Sequence, residues 1–566
     1  MGGDRTKDSS EGPKAKGIAS LTVHIPSAFR KGTGSSVSTQ GLSKPRWSTP
    51  EFKFYYLVAL FAIPAMAWIP ISLSQTTHRN YVFYAPRLSE GWIYGRMIDN
   101  SDAQYRSFRD NLPLLTQVML GYLPLKYLAR RFLKTSSEHS LYLMPVNMAL
   151  SIIMVIALHG SSALKIGLIL TLNFIIAKTC RESFLGPVLT WVFNGLVMFM
   201  NEIHSGYSFG AISPALAGLD SFGGAYPRWH VIFNITMLRL ISFNMDYYWS
   251  CKNTDSSDVD VNLPSEKQRV TVPHPDTLYS AMNYIAYILY PPLYIAGPII
   301  TFNDFMWQHR RNTVISTRFK VMYLVRFAVC FLTMEYILHF MYMVAIKDTK
   351  AWGGDSPAQI AMIGFWNLII VWLKLLIPWR FFRAWALLDG IDPPENMVRC
   401  MANNYSAFGF WRSWHRSYNL WIIRYIYIPL GGSKNVILNT LLIFSFVALW
   451  HDLTFRLLAW GWLISLFVIP ELAATYLLPK SKYGKYPWYR HACAIGGVFN
   501  ILMMIGANLV GFVVGTDGVA FFFGELFGTW DGIKFMVICT FCLFVGVQLM
   551  FEYREEELRQ GIVRRC

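Results

Sequence analysis

The sequence predicts an all-α, polytopic membrane protein, and three observations carry that prediction. Of 566 residues, 54% are hydrophobic, 16% aromatic and only 15% charged, with a mean hydropathy of +0.32; a soluble globular chain carries about a quarter charged residues. Long apolar runs recur from Tyr55 onward. The excess of 51 Lys and Arg over 34 Asp and Glu suits the orientation and anionic-lipid contacts of a bilayer protein. Composition excludes a soluble enzyme or a disordered protein, and no basic block interleaved with aromatics suggests nucleic acid.

The elements follow in order. The first 50 residues are rich in Ser, Gly and Pro and hold eight Lys or Arg against three acids, too polar to bury a core, so residues 1–50 are expected to form a disordered basic tail. Met1-Gly2 with Thr6 fits a myristoylation pattern short enough to arise by chance. No apolar segment precedes Glu51, so the first run is expected to serve as an uncleaved signal anchor. Runs near 55–73, 112–128, 141–158, 163–178, 184–200, 281–300, 320–346, 358–378, 436–450, 455–478, 491–515 and 533–551 predict about ten to twelve spans, because a bilayer core takes about 20 apolar residues per helix. Residues 51–566 thus read as one membrane domain.

Two polar interruptions fall within that domain. Residues 96–110 are expected to form an interfacial helix with Asp102 and Arg106 at i,i+4 spacing. Residues 250–280 read as an exposed polar loop. The eight cysteines show neither metal-finger nor disulfide spacing, and Cys539 and Cys542, inside an apolar run, are expected to pack within a helix. No internal repeat is evident, which weighs against a secondary transporter.

Ionisable groups at membrane depth are costly and point to function. His451 closes Val436–Trp450, fifteen residues without one charge, and desolvation favours the neutral imidazole that a general base requires. Asp452 is adjacent on the helix and points about 100° away, so it is no partner. If the segment Phe410–Trp421 is helical, Trp411, His415 and Asn419 share one face, expected to line a cavity rather than lipid. An interfacial belt of Trp and Arg is the plainer reading of the same residues.

From Asn396 to His451, 56 residues hold no acid, while Arg399, Arg412, Arg416, Arg424 and Lys434 supply five cations. Such a one-signed segment attracts a phosphate-rich donor such as coenzyme A; positive-inside orientation and anionic-lipid contact explain the same charges. His451 and His415 are therefore the candidate catalytic residues. Trp411, Arg412, Trp414, Arg416, Asn419, Arg424 and Lys434 are the candidate substrate-binding residues. No metal is implied, since neither histidine has a second ligand at usable spacing.

Trp411–Asn419, then Arg424-Tyr-Ile-Tyr-Ile-Pro-Leu-Gly-Gly-Ser433, then Trp450-His451 together resemble the signature of the membrane-bound O-acyltransferase superfamily. Tyr284–Tyr287, Tyr290–Pro298 and Phe302–Phe305 resemble its other shared stretch. Arg96–Arg109 and Leu387–Pro394 are most similar to its fungal glycerol-uptake branch, kin of the hedgehog acyltransferases. The resemblance covers roughly residues 50–566. It implies about eleven transmembrane helices plus re-entrant segments around a tunnel, and an acyl-CoA donor. His451 matches the invariant histidine, and His415 the upstream catalytic position, where the hedgehog branch places an acid.

The resemblance further implies transfer of a long-chain acyl group to a lipid hydroxyl. The implied acceptor is a lyso-GPI lipid, remodelled in the endoplasmic reticulum membrane, with the plasma membrane as a second location. It raises haem at Cys400, which matches a haem-ligating cysteine of the hedgehog branch; a packing thiol is the alternative. The branch name also raises a polyol (glycerol) transporter. That reading rests on the name and the many spans, whereas the enzyme reading rests on His415, His451 and the acid-free segment.

Overall fold

The computed structural model describes residues 43–133, 139–252, 265–311 and 314–562. Among them, nine helices are long and apolar enough to cross a bilayer. The first, α1 (Pro50–Leu73), is capped by the Thr49 side chain, which accepts the Phe52 N–H. A small antiparallel hairpin, β1 (Leu88–Glu90) and β2 (Met97–Asp99), then leads into α2 (Ala103–Leu133). The interfacial helix expected over 96–110 is thus replaced by a strand and the start of a 31-residue helix. Asp102 caps α2 by accepting the Tyr105 N–H at 2.9 Å and pairs with Lys374 at 2.7 Å. Arg106 donates instead to the Asn100 carbonyl.

The chain continues through α3 (Met144–His159), α4 (Ser162–Cys180), α5 (Leu185–Ile203) and α6 (Trp229–Lys252). Most of α6 is buried, including Arg239 and Asp246, so it runs inside the protein rather than against lipid. Next come α7 (Glu266–Thr271), α8 (Ala281–Ile288), α9 (Pro291–Tyr294) and α10 (Phe302–Arg310). The span expected over 281–300 is therefore broken. Pro291 and Pro292 lack N–H donors and disfavour helix before them, and the tyrosines on either side (Tyr287, Tyr290, Tyr294) are buried. The loop expected over 250–280 is packed where it is described: Ser265 and Gln268 form a capping box on α7, and His274 is buried beside the Asn303 carbonyl at 2.9 Å. Residues 253–264 lie outside the described residues.

Beyond these lie α11 (Thr317–Phe340), α12 (Met343–Asp348), the 33-residue α13 (Pro357–Asp389), α14 (Ala407–Ser413) and α15 (Arg416–Ile422). The last five are α16 (Val436–His451), α17 (Phe455–Leu477), α18 (Pro487–Asn508), α19 (Gly515–Phe527) and α20 (Trp530–Arg559). Large apolar side chains such as Phe61 on α1 and Val537 on α20 point outward, 69% and 66% exposed, an arrangement stable only when lipid covers them.

Of the basic tail, residues 1–42 with their myristoylation pattern lie outside the described residues. The segment just before α1 is bound to α20: the Arg46 N–H donates to Glu552 at 3.0 Å and the Trp47 indole to Glu556 at 3.5 Å. Cys539 and Cys542 are free thiols on α20, and both lie on the wall of the cavity described next.

Candidate active site

A cavity of about 1640 Å³ runs between α1, α2, α13 and the helices from α14 to α20. An ordinary single-ligand site occupies about 300–1,000 Å³, so this one has room for two substrates together.

His415 stands on its wall at a break in the chain. The segment is not one helix: α14 stops at Ser413 and α15 starts at Arg416. The shared helical face expected for Trp411, His415 and Asn419 is therefore absent, yet all three line the cavity. His415 itself adopts φ +43°, ψ 49°, a left-handed conformation that costs a non-glycine residue of order 1–3 kcal/mol. Neighbours hold it there. Met397 bridges Trp414, while the Arg416 and Ser417 N–H groups donate to the carbonyl and side-chain oxygens of Asn396 at 3.0 and 3.2 Å. From α13, the Trp379 indole stacks on the imidazole.

His451 is the last residue of α16, and a reciprocal pair fixes that end. The Trp450 indole donates to the Asn234 carbonyl, and the Asn234 amide donates to the Trp450 carbonyl, each at 2.9 Å. The second bond satisfies one of the carbonyls that every helix C-terminus leaves open. An aromatic row joins the two histidines: Tyr418 lies 5.2 Å from His415 and 4.5 Å from Trp450, whose ring is 4.7 Å from His451. Both histidines line the cavity. His415 is half-buried, and His451 is exposed to the cavity's interior. Among the described residues neither imidazole has a hydrogen-bond partner, so both rings are available to a ligand.

Trp411, Arg412, Trp414 and Asn419 line the same cavity; Arg416, Arg424 and Lys434 do not. Arg424 pairs with the buried Asp246 at 2.7 Å, which also accepts the Tyr425 hydroxyl at 3.0 Å. Arg416 meets Glu266 at 3.4 Å, Arg399 makes two bonds to Glu557 at 3.0 and 2.7 Å, and Lys434 is exposed. The segment is acid-free along the sequence but not in space, because α6, α7 and α20 bring carboxylates to it. Trp379 and Tyr418 escaped the sequence reading. Nothing in a long apolar helix marks one tryptophan as the platform for a distant histidine.

Cys400, the position at which haem was raised, lies off the cavity. The thiol is exposed, the cavity wall passes through Met401 and Ala402 without reaching it, and the nearby Arg380 guanidinium donates to Cys330 at 2.8 Å. Among the described residues no group of three His, Cys, Asp or Glu is placed to hold a metal.

The sequence model of the membrane-bound O-acyltransferase (MBOAT) family matches residues 222–516, which include both histidines. The chain is 48% identical to the membrane-bound O-acyltransferase GUP1 of Candida tropicalis over 544 residues, covering 94% of this chain and 91% of that protein. To the GUP1 of Saccharomyces cerevisiae it is 46% identical over 533 residues, 92% of this chain and 94% of the relative. A more distant similarity, 29% over 211 residues, links it to the mouse protein-cysteine N-palmitoyltransferase HHAT, over 34% of this chain and 40% of that one. With the match extending over nearly the full length of two relatives, and with paired histidines on one internal cavity, the chain belongs to the membrane-bound O-acyltransferase family.

Proposed function

We propose that the protein transfers a long-chain fatty acyl group from acyl-CoA to a hydroxyl of a membrane lipid, with lyso-GPI as the acceptor and the endoplasmic reticulum as the membrane. One observation carries the chemistry: His415 and His451 stand on the same large cavity, across Tyr418 and Trp450, without a hydrogen-bond partner on either ring among the described residues.

In this reading His451 accepts the proton of the acceptor hydroxyl as its oxygen attacks the thioester carbonyl. The new C–O bond forms, the C–S bond breaks, and coenzyme A leaves as the thiol with the proton that His451 had taken. His415 and Asn419 donate hydrogen bonds to the carbonyl oxygen as negative charge builds there. One such preorganised donor is worth about 3–4 kcal/mol. No covalent acyl-enzyme is required, because both substrates fit the cavity at once. Arg412, which lines the cavity wall, meets the phosphates of the donor.

The test is turnover of labelled long-chain acyl-CoA by the purified protein in nanodiscs, with a panel of lyso-lipid acceptors including lyso-GPI, beside His451→Ala. Acyl ester formation by wild type and its loss in the variant supports the reading. If instead both proteins move a labelled polyol across liposomes equally well without acyl-CoA, and neither forms an ester, the polyol transporter takes its place.

A further inference from the structure

An acid inside a membrane span marks function by default, and Glu471 is the one acid of the membrane-spanning α17. Its carboxylate accepts hydrogen bonds from two places. At the start of α14 it takes the Ser406 hydroxyl and the Ala407 and Phe408 N–H groups, the last two at 2.8 and 3.4 Å. From α18 it takes the Asn500 amide at 3.4 Å. Ser406 in turn caps α14 by accepting the Gly409 N–H at 3.0 Å. Beside this anchor Ala407 and Phe410 share a buried cluster with Val468 of α17, and the Trp411 ring lies 5.5 Å from that of Trp460.

α17 is also the helix that leaves His451, since it begins at Phe455. One helix therefore serves both histidines. It departs from His451, and through Glu471 it fixes the start of α14, whose seven residues, about 10 Å along the axis, lead to His415. Past His415 the chain is held a second time, by the buried Asn396 bonded to the Arg416 and Ser417 N–H groups. A left-handed histidine between two short helices persists only when its surroundings hold it. A displacement of about 1 Å is enough to cost a reaction about 100-fold.

We propose that Glu471 is a positioning residue: through α14 it sets where His415 stands relative to His451. Its part in acyl transfer rests on the function proposed above; its hold on His415 does not. Two readouts test it on the full-length protein in nanodiscs.

The first is the rate at which diethyl pyrocarbonate modifies each imidazole, read residue by residue by mass spectrometry. Glu471→Ala is expected to raise the His415 rate at least about 5-fold and to leave the His451 rate within about 2-fold, whereas general loosening of the fold raises both. Glu471→Gln, which keeps the shape and one acceptor oxygen, is expected to show the same selectivity at reduced size, and it carries the test where the alanine variant does not fold. The second readout is turnover of labelled long-chain acyl-CoA with lyso-GPI. Glu471→Ala is expected to lower kcat about 10-fold or more. KM for acyl-CoA is expected to change less than about 3-fold, because the flexible Arg412 side chain can follow the phosphates and a stacked imidazole cannot. In a His415→Ala background the same substitution is expected to change the residual rate less than about 2-fold, since no imidazole is left to place.

Equal rises at both histidines, an unchanged His415 rate, or a loss of kcat that adds in full to that of His415→Ala overturns the proposal. A selective rise at His415 with no ester formed by wild type upholds the hold on His415 and removes the transferase reading.

Discussion

The indole of Trp379 and the imidazole of His415 lie face to face, ring centroids 4.6 Å apart and planes within 13°. A residue of the longest helix thus orients a ring whose own backbone sits at a strained break. An aromatic pair of this kind contributes about 0.5–1.5 kcal/mol beyond its buried area. Trp379→Ala is expected to lower kcat about 10-fold while KM for acyl-CoA changes much less, whereas Trp379→Phe keeps a stacking face and most of the rate. Steady-state kinetics of the two variants separate an orienting platform from a packing residue, which would move Tm and leave the ratio of the two parameters alone.

His451→Ala is expected to cut acyl transfer by at least about 100-fold, the usual loss when a general base is removed. Insertion and the gel-filtration profile stay as in wild type, because His451 makes no hydrogen bond among the described residues. Acyl-CoA turnover by purified protein reads the effect, and a variant within a few-fold of wild type removes His451 from the chemistry.

Asn234→Ala removes the amide that donates to the Trp450 carbonyl and keeps the backbone carbonyl that accepts the Trp450 indole. Losing the side-chain donor strands one buried carbonyl, at about 1–3 kcal/mol. Tm is expected to fall by several degrees and kcat more than KM, since the end of α16 is what aims His451. Thermal melting and kinetics on the same preparation check both halves.

The Asp246–Arg424 pair is buried, 0% and 13% exposed, and its value is asymmetric. Removing one member leaves an unpaired charge, which costs about 3–5 kcal/mol. Asp246→Ala is therefore expected to melt far below wild type, and the double variant Asp246→Ala with Arg424→Leu to recover part of the loss. If the single and double variants melt alike, the pair is not coupled.

Arg412→Glu places a negative charge at the cavity wall and is expected to raise KM for acyl-CoA about 5-fold or more, with the effect shrinking as salt screens it. Lys434→Glu, off that wall, is expected to change KM little. Equal effects from both would attribute the charge to membrane orientation alone.

What the sequence made legible was whatever is written in one dimension. The apolar runs announced α1, α3, α4, α5, α11, α13, α16 to α18 and α20 because a span needs only consecutive residues. His451 stood out for the same reason, as the first ionisable group after an uncharged run. The break at His415 was hidden, since Trp-His-Arg-Ser contains no glycine or proline to mark it, and the left-handed turn is imposed by Asn396 and Met397 from another segment. Hydropathy counted 281–300 as a span although its Pro-Pro pair was in plain view. The fate of Arg424 could not be read at all, because Asp246 is 178 residues away. Ion pairing across such a distance belongs to topology, not to spacing.

The strap that ties the start of α1 to α20 bears on how the protein is made. Arg46 and Glu552 are 506 residues apart, so at about 5–20 residues per second the ribosome needs roughly 25–100 s between them. Throughout that interval α1 is already in the bilayer while the helix that fastens it has yet to be synthesised. The side of the cavity bounded by α1 and α20 is therefore the last to close. A nascent chain that stalls before α20 lacks both the wall that α20 gives the cavity and the carboxylates that hold the start of α1.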